Sequence, residues 1–246
     1  MRVGYPKCRK ITSVENSCEI GESVVSIESG LLPLWFVYSL LIPCALVLSW
    51  ALWRVNWTAL KEQPLLQHVF YSACVALAVL WSIRAGLSSG LGIHFMGLTA
   101  ATLVMGWPLA LIAGALGLLG VSVLGLEAYS AFGVNFMVSV ALPVLTSYWV
   151  LNLVQRKLPA IPFVYIFLCG FFNGAIAILS VACVTSLMLG LLDVYSWDAV
   201  YEEYFQYLPL MLFPEAFING MVVAGVMGTF PHLLSSFNVD KYFSDD

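Results

Sequence analysis

Apolar residues occupy most of this chain in long unbroken blocks, and the polar positions gather between them. Seven blocks stand out: Leu31–Trp53, His68–Gly86, His94–Trp107, Pro108–Leu126, Phe132–Leu153, Phe163–Leu191 and Phe205–Phe230. A helix needs roughly 20 apolar residues to cross the hydrocarbon of a bilayer, and most of the blocks approach or exceed that length. They do not alternate between polar and apolar, so they predict helices rather than the strands of a barrel. The third block is short, and "GWP" at Gly106–Pro108 predicts a tight turn between it and the fourth. The expected fold is all-α, a polytopic membrane protein of about seven transmembrane helices in one bundle. Seven crossings place the two ends on opposite sides.

Composition strengthens this reading. The chain is 61% hydrophobic and only 10% charged, with a mean hydropathy of +0.93. Soluble domains carry about 25% charged residues, so too little polar surface is present here to coat a large core. Lipid is therefore the expected solvent for most of the surface. The net charge of −4 comes mainly from the chain ends and one loop, a pattern that predicts no nucleic-acid partner. Six cysteines show no CxxC-like spacing, and four lie in apolar runs where small thiols pack helices. Residues 1–24 are polar and have no apolar h-region, so they are not a secretory signal. They read either as a polar tail or as a misassigned start. Residues 243–246 form a short C-terminal tail.

Charge placement orients the bundle. With the amino end outside, Arg54, Lys61, Arg156, Lys157 and Lys241 fall on the cytoplasmic side, as positive residues should. Arg84 and the acidic stretch holding Asp193, Asp198, Glu202 and Glu203 fall outside. The basic residues of the tail, Arg2, Lys7, Arg9 and Lys10, oppose this arrangement. Between the spans, Gly170 with Gly174 and the series Gly114, Gly117 and Gly120 offer flat surfaces for close helix contact, which lipid does not otherwise drive.

Within the spans the ionisable residues are few: His68, Arg84, His94 and Glu215. Each costs a few kcal/mol near the bilayer centre unless it faces protein, water or a partner. His68 and Arg84 lie near block ends and can reach the interface. His94 follows "SSGLG", a poor helix former, so the chain is expected to enter the membrane as a loop and turn helical near this residue. Non-helical backbone at that depth is tolerated only in a cavity or inside protein. Two readings stay open: a neutral imidazole ligating a borderline transition metal, or a histidine bonded to a loop carbonyl. Pro214 is expected to start or kink a helix and to place Glu215 in its first turn, where the helix dipole favours a carboxylate. Asn135 and Asn173 can bond across helices or hold a loop. The sequence contains no GxxxxGK[ST] or HExxH motif, and the pair Glu202–Glu203 lies in a loop. The chain is thus not expected to be an enzyme, and any ATP hydrolysis falls to partners.

An ordered set of short motifs carries a family resemblance. "VSIESGLLPLW" (Val25–Trp35), His94 with Gly97, "MGWP", Gly133 with Asn135, and Asn219 with Gly220 occur in one order. In these the chain resembles the CbiM/NikM-type cobalt and nickel permeases, the substrate-capture membrane subunits of energy-coupling-factor (ECF) transporters. "FVYIFLCGFFNGA" and "LFPEAFINGM" bring it closer still to the proteobacterial ECF-type permeases. The likeness covers a CbiM-like transmembrane domain over residues 25–242. It implies uptake of Co(2+) or Ni(2+) as transported substrate, no tightly bound cofactor, an ECF transmembrane coupling subunit and cytoplasmic ATPase subunits as partners, and a place in the cell inner membrane.

The resemblance also implies a re-entrant amino-terminal segment that folds into the bundle and joins the loop histidine in a planar nitrogen site, suited to Ni(II) and adaptable to Co(II). His94 matches the loop histidine and Val25 the initiator Met. Ser26 falls where the family has a second histidine, so this site lacks one imidazole. Val25, Ser26 and His94 are the candidate metal ligands. Asn135 and Glu215 are candidates beside the substrate, Asn135 as a holder of the entering loop. Ser26 keeps an alternative open, a non-transporting membrane regulator or assembly factor that kept the permease fold.

Overall fold

The order of apolar blocks reappears as helices in the computed structural model, which describes residues 32–83, 95–203, 205–237 and 242. Helix α1, Leu34–Arg54, follows Pro33 and bends at Leu40. Asn56 caps a short helix, Trp57–Glu62, by accepting the Ala59 N–H at 3.0 Å. Helix α2, Pro64–Ser82, starts on a proline whose missing N–H is no loss at a first helical position. Helices α3, Leu98–Met105, and α4, Trp107–Val123, are separated by Gly106 alone. Helix α5, Tyr129–Lys157, and helix α6, Pro162–Leu191, each contain a wide π-helical stretch, at Phe136–Ala141 and Tyr165–Phe172. Pro143 lies just beyond the first of these, where it removes the N–H that would bond the Ser139 carbonyl. Helix α7 is Leu208–Thr229.

Among the described residues, five stretches are long and apolar enough to cross a membrane: α1, α2, α5, α6 and Trp197–Thr229, which contains α7. The expected third span is much reduced. Its eight helical residues extend about 12 Å, less than half of a hydrocarbon core of about 30 Å. The turn at "GWP" is present: Gly106 adopts φ +83°, which a side chain would strain, and α3 folds back antiparallel on α4. A Cβ on Gly114 would stand 3.3 Å from Leu98, so the start of α3 is level with the middle of α4. It is a half-helix whose amino end lies deep in the bundle.

Polarity is inverted relative to a soluble protein. Trp53 is 78% exposed and Val123 and Leu191 are each 73% exposed, whereas Thr99, Asn135, Ser139, Ser147, Asn173, Glu215 and Asn219 are buried. This is the arrangement that lipid imposes, with polar groups bonding between helices. Trp35, Trp53, Trp57 and Trp149 are also exposed, the residue type that favours membrane interfaces. Cys44, Cys74, Cys169 and Cys183 are free thiols on the helices, as their spacing suggests.

The expected glycine contacts are made. Gly117 and Gly120 face α2, with Cβ positions 3.2 Å from Leu77 and 3.3 Å from Ala78, and Gly170 faces Val223 and Gly220 of α7. The ends of α1 and α5, with Arg54, Arg156 and Lys157, lie with the Gly106 turn at one end of the bundle. Trp50 of α1 stacks on Trp107 there at 4.2 Å, and Ser235 bonds the end of α3.

Candidate functional site

The backbone at Met96–Gly97, immediately before α3, is held by three hydrogen bonds from two helices. Glu215 of α7 accepts the Met96 N–H through Oε2 at 2.8 Å and the Gly97 N–H through Oε1 at 2.9 Å. The Trp81 indole N–H of α2 donates to the Met96 carbonyl at 3.2 Å. Gly97 has φ +65°, the left-handed conformation that turns the chain into the helix at little steric cost. One turn along α7 from Glu215, Asn219 accepts the Ala100 N–H at 2.8 Å and donates to Glu215 Oε1 at 2.7 Å.

These contacts answer a specific need. The first N–H groups of any helix lack partners within it, and a membrane interior offers no water to replace them. Here two side chains of a neighbouring helix supply the acceptors. The carboxy end of α3 is treated alike: Ser236 Oγ donates to the Leu103 carbonyl at 2.9 Å and the Ser235 N–H to the Val104 carbonyl at 2.9 Å. Tyr165 and Gln155 hold Ser236 in turn, at 2.5 and 2.6 Å. On the flank of α3, Thr99 and Ser147 hydroxyls pair at 2.8 Å, and the Asn173 amide donates to the Ser147 carbonyl at 3.0 Å.

Glycine at 174 lets α6 reach this centre. A Cβ there would lie 3.2 Å from Asn219 and from the Glu215 carbonyl oxygen. Met96 itself packs in one apolar cluster with Leu32 and Val37 from the start of the described chain and with Val134 and Val138 of α5. The first described residues of the chain thus lie beside the segment that follows His94.

Glu215 departs from expectation. Pro214 is inside α7, Pro209 opens that helix, and Glu215 is its eighth residue rather than a first-turn residue. Its carboxylate caps a different helix. It is 2% exposed, and its three side-chain partners are all N–H donors. Asn135 is buried on α5 and donates to Glu127 at 3.2 Å. Glu127 is also buried although it follows a loop glycine, and nothing in its local sequence announced that. His68 is exposed near the start of α2, as its position at a block end suggested. Val25, Ser26, Arg84 and His94 lie outside the described residues. Among the described residues no group of three or more His, Cys, Asp or Glu could hold a metal ion. Sequence reasoning did not single out Trp81, Thr99, Ser147, Ser235 or Ser236, whose residue types are too common to signal.

Residues 26–233 match a family model described as the cobalt uptake substrate-specific transmembrane region, CbiM. A truncated transition metal transporter of known structure superposes with a TM-score of 0.71 at 19% identity, over 82% of this chain and 98% of that one. A second transition metal transporter gives a TM-score of 0.68 at 18% identity, over 82% and 92% of the two chains. At such identities these two establish a shared fold. No curated protein matches by sequence.

Proposed function

Because the chain belongs to the CbiM family of cobalt uptake transmembrane proteins, we propose that it is the substrate-capture subunit of an ECF-type transporter for a cobalt- or nickel-like ion. It would act in the cytoplasmic membrane with a transmembrane coupling subunit and ATPase subunits. The reading rests chiefly on the clamped backbone at Met96–Gly97: the segment that continues from His94 is fixed deep in the bundle by buried groups of α2 and α7.

In this reading the His94 imidazole is the principal ligand, and the amino-terminal residues Val25 and Ser26 close the site. Serine offers a backbone nitrogen but no imidazole, so the nitrogen set is smaller than the family pattern and the affinity correspondingly lower. Asn135 would hold the entering loop, from the part of α5 where Val134 and Val138 share an apolar cluster with Met96.

Metal titration of the purified protein tests this, with forms beginning at Met1 and at Val25. Co(II) or Ni(II) is expected to bind with one ion per chain, and His94→Ala is expected to weaken binding at least tenfold. A His94→Ala protein that binds and accumulates metal like the parent overturns the assignment. Ser26 favours a second reading, a non-transporting regulator on the same fold. Metal binding without uptake, in cells that supply coupling and ATPase subunits, would support that alternative.

A further inference from the structure

We infer that the groove along the last turns of α5, lined by Tyr148, Trp149, Asn152, Leu153 and Arg156, binds the headgroup of an anionic phospholipid. The groove encloses about 300 Å³. Counted from Tyr148, its lining residues recur at one, four, five and eight positions, so they share one face of the helix. That face looks outward: Trp149 is 63% and Tyr148 40% exposed, and Arg156 is exposed beside them. The site is separate from the Met96–Gly97 centre and does not depend on the transport reading.

The depth of the groove selects a lipid. Helix α5 has 29 residues. It extends about 43 Å against a hydrocarbon core of about 30 Å, so its ends reach the headgroup layers. Arg156 is its last residue but one. The Tyr148 ring lies 6.0 Å from that of Trp107, which stacks on Trp50 at 4.2 Å. With the exposed Trp53, Trp57 and Trp149, these rings make an aromatic belt of the kind that marks a membrane interface. Along about 12 Å of helix the lining passes from two aromatic rings, through an amide and a leucine, to a guanidinium. A phospholipid presents the same order, from acyl chains through esters to phosphate.

Charge selects an anionic headgroup. Among the described residues every Lys and Arg lies at this end of the bundle: Arg54, Lys61, Arg156 and Lys157. Glu62 is the one described acidic residue there, since Glu127 follows α4 and Asp193, Asp198 and Glu202 follow α6 at the other end. Basic pockets on the cytoplasmic side of membrane proteins suit anionic lipid headgroups, and this is the end expected to face the cytoplasm. Arg156 is always protonated, and its planar fork fits two oxygens of one phosphate. One amide N–H of Asn152 bonds the Tyr148 carbonyl at 2.7 Å, which fixes the amide and leaves its oxygen for a headgroup hydroxyl. Trp149 and Tyr148 add an indole N–H and a phenol for ester oxygens. An acidic protein segment would meet the same charge but would leave the aromatic end of the groove, at bilayer depth, unused. A lipid held here would fix the depth and tilt of α5.

The test uses the full chain, purified in detergent and freed of endogenous lipid. It is given equal amounts of phosphatidylglycerol and phosphatidylcholine with the same acyl chains, and retained lipid is counted by native mass spectrometry. The parent is expected to retain phosphatidylglycerol at least fivefold over phosphatidylcholine, and Arg156→Gln to lose that preference to within about twofold. Lys157→Gln, which removes a neighbouring charge outside the groove, is expected to keep it. Equal retention of the two lipids by the parent overturns the proposal and leaves the groove to an acidic partner segment. Equal loss in Arg156→Gln and Lys157→Gln also overturns it, by showing diffuse attraction to a basic surface. Displacement of the lipid by inorganic phosphate would show a site for a free anion and refute the lipid. Should Arg156→Gln not fold, Trp149→Ala decides: retention of phosphatidylglycerol is expected to fall at least threefold, and parental retention refutes the site. Metal binding is expected to be unchanged in Arg156→Gln, so this proposal and the transport reading fail independently.

Discussion

Asn219 shows how much can depend on one uncharged side chain in a membrane interior. It is completely buried and bonds the Ala100 N–H, the Glu215 carbonyl and the Glu215 carboxylate. Asn219→Ala leaves at least one N–H without an acceptor, at about 1–3 kcal/mol for each orphaned group. Thermal unfolding in detergent is therefore expected at a clearly lower temperature. Thr99→Val removes one hydroxyl from a pair with Ser147 and is expected to cost only about 1 kcal/mol by the same measurement. A Thr99→Val protein less stable than Asn219→Ala would contradict this ranking. The sequence made His94 and Glu215 visible because charge is rare in apolar blocks. It did not make Thr99, Ser147 or Trp81 visible, because their types occur throughout membrane helices and only their partners give them roles.

At the scale of elements, α3 is the informative case. Eight residues cannot form a stable helix alone, since the cost of nucleation is spread over too few bonds. It is sustained from outside, by Glu215 and Asn219 at one end and by the Ser235–Ser236 segment at the other. Ser236→Ala removes the shorter hydroxyl bond to the Leu103 carbonyl and the partner of Tyr165. Amide hydrogen exchange is expected to quicken at the carboxy end of α3, with little change in α6. Equal exchange in both proteins would show the segment to be dispensable. Gly174→Val tests the packing between α6 and α7, because its side chain would meet Asn219 and the Glu215 carbonyl. Loss of metal binding together with lowered stability is expected, whereas Gly225→Val, with open space around its Cβ, is expected to leave both unchanged.

The whole molecule separates its charges. Arg54, Arg156 and Lys157 end helices at the pole that holds the Gly106 turn, while Asp193, Asp198 and Glu202 follow α6 at the other. Positive residues favour the cytoplasmic side, so the first pole is expected to face inward. Single cysteines at Asp198 and Lys157, in a background without accessible thiols, check this in intact cells. A membrane-impermeant thiol reagent should label position 198 from outside and position 157 only after permeabilisation. The opposite pattern would invert the bundle.

Membrane class, helix order, the turn at Gly106 and the contacts of Gly117, Gly120, Gly170 and Gly174 follow from sequence, because apolar length, proline and glycine act locally. The length of α3 and the partner of Glu215 do not. Met96 and Glu215 lie 119 positions apart, and whether a carboxylate caps its own helix or another is decided by which helices pack side by side. Local rules placed Glu215 at a helix start beside Pro214; the folded bundle placed it in mid-helix against another helix's unpaired N–H groups, because in lipid those groups have no water to bind.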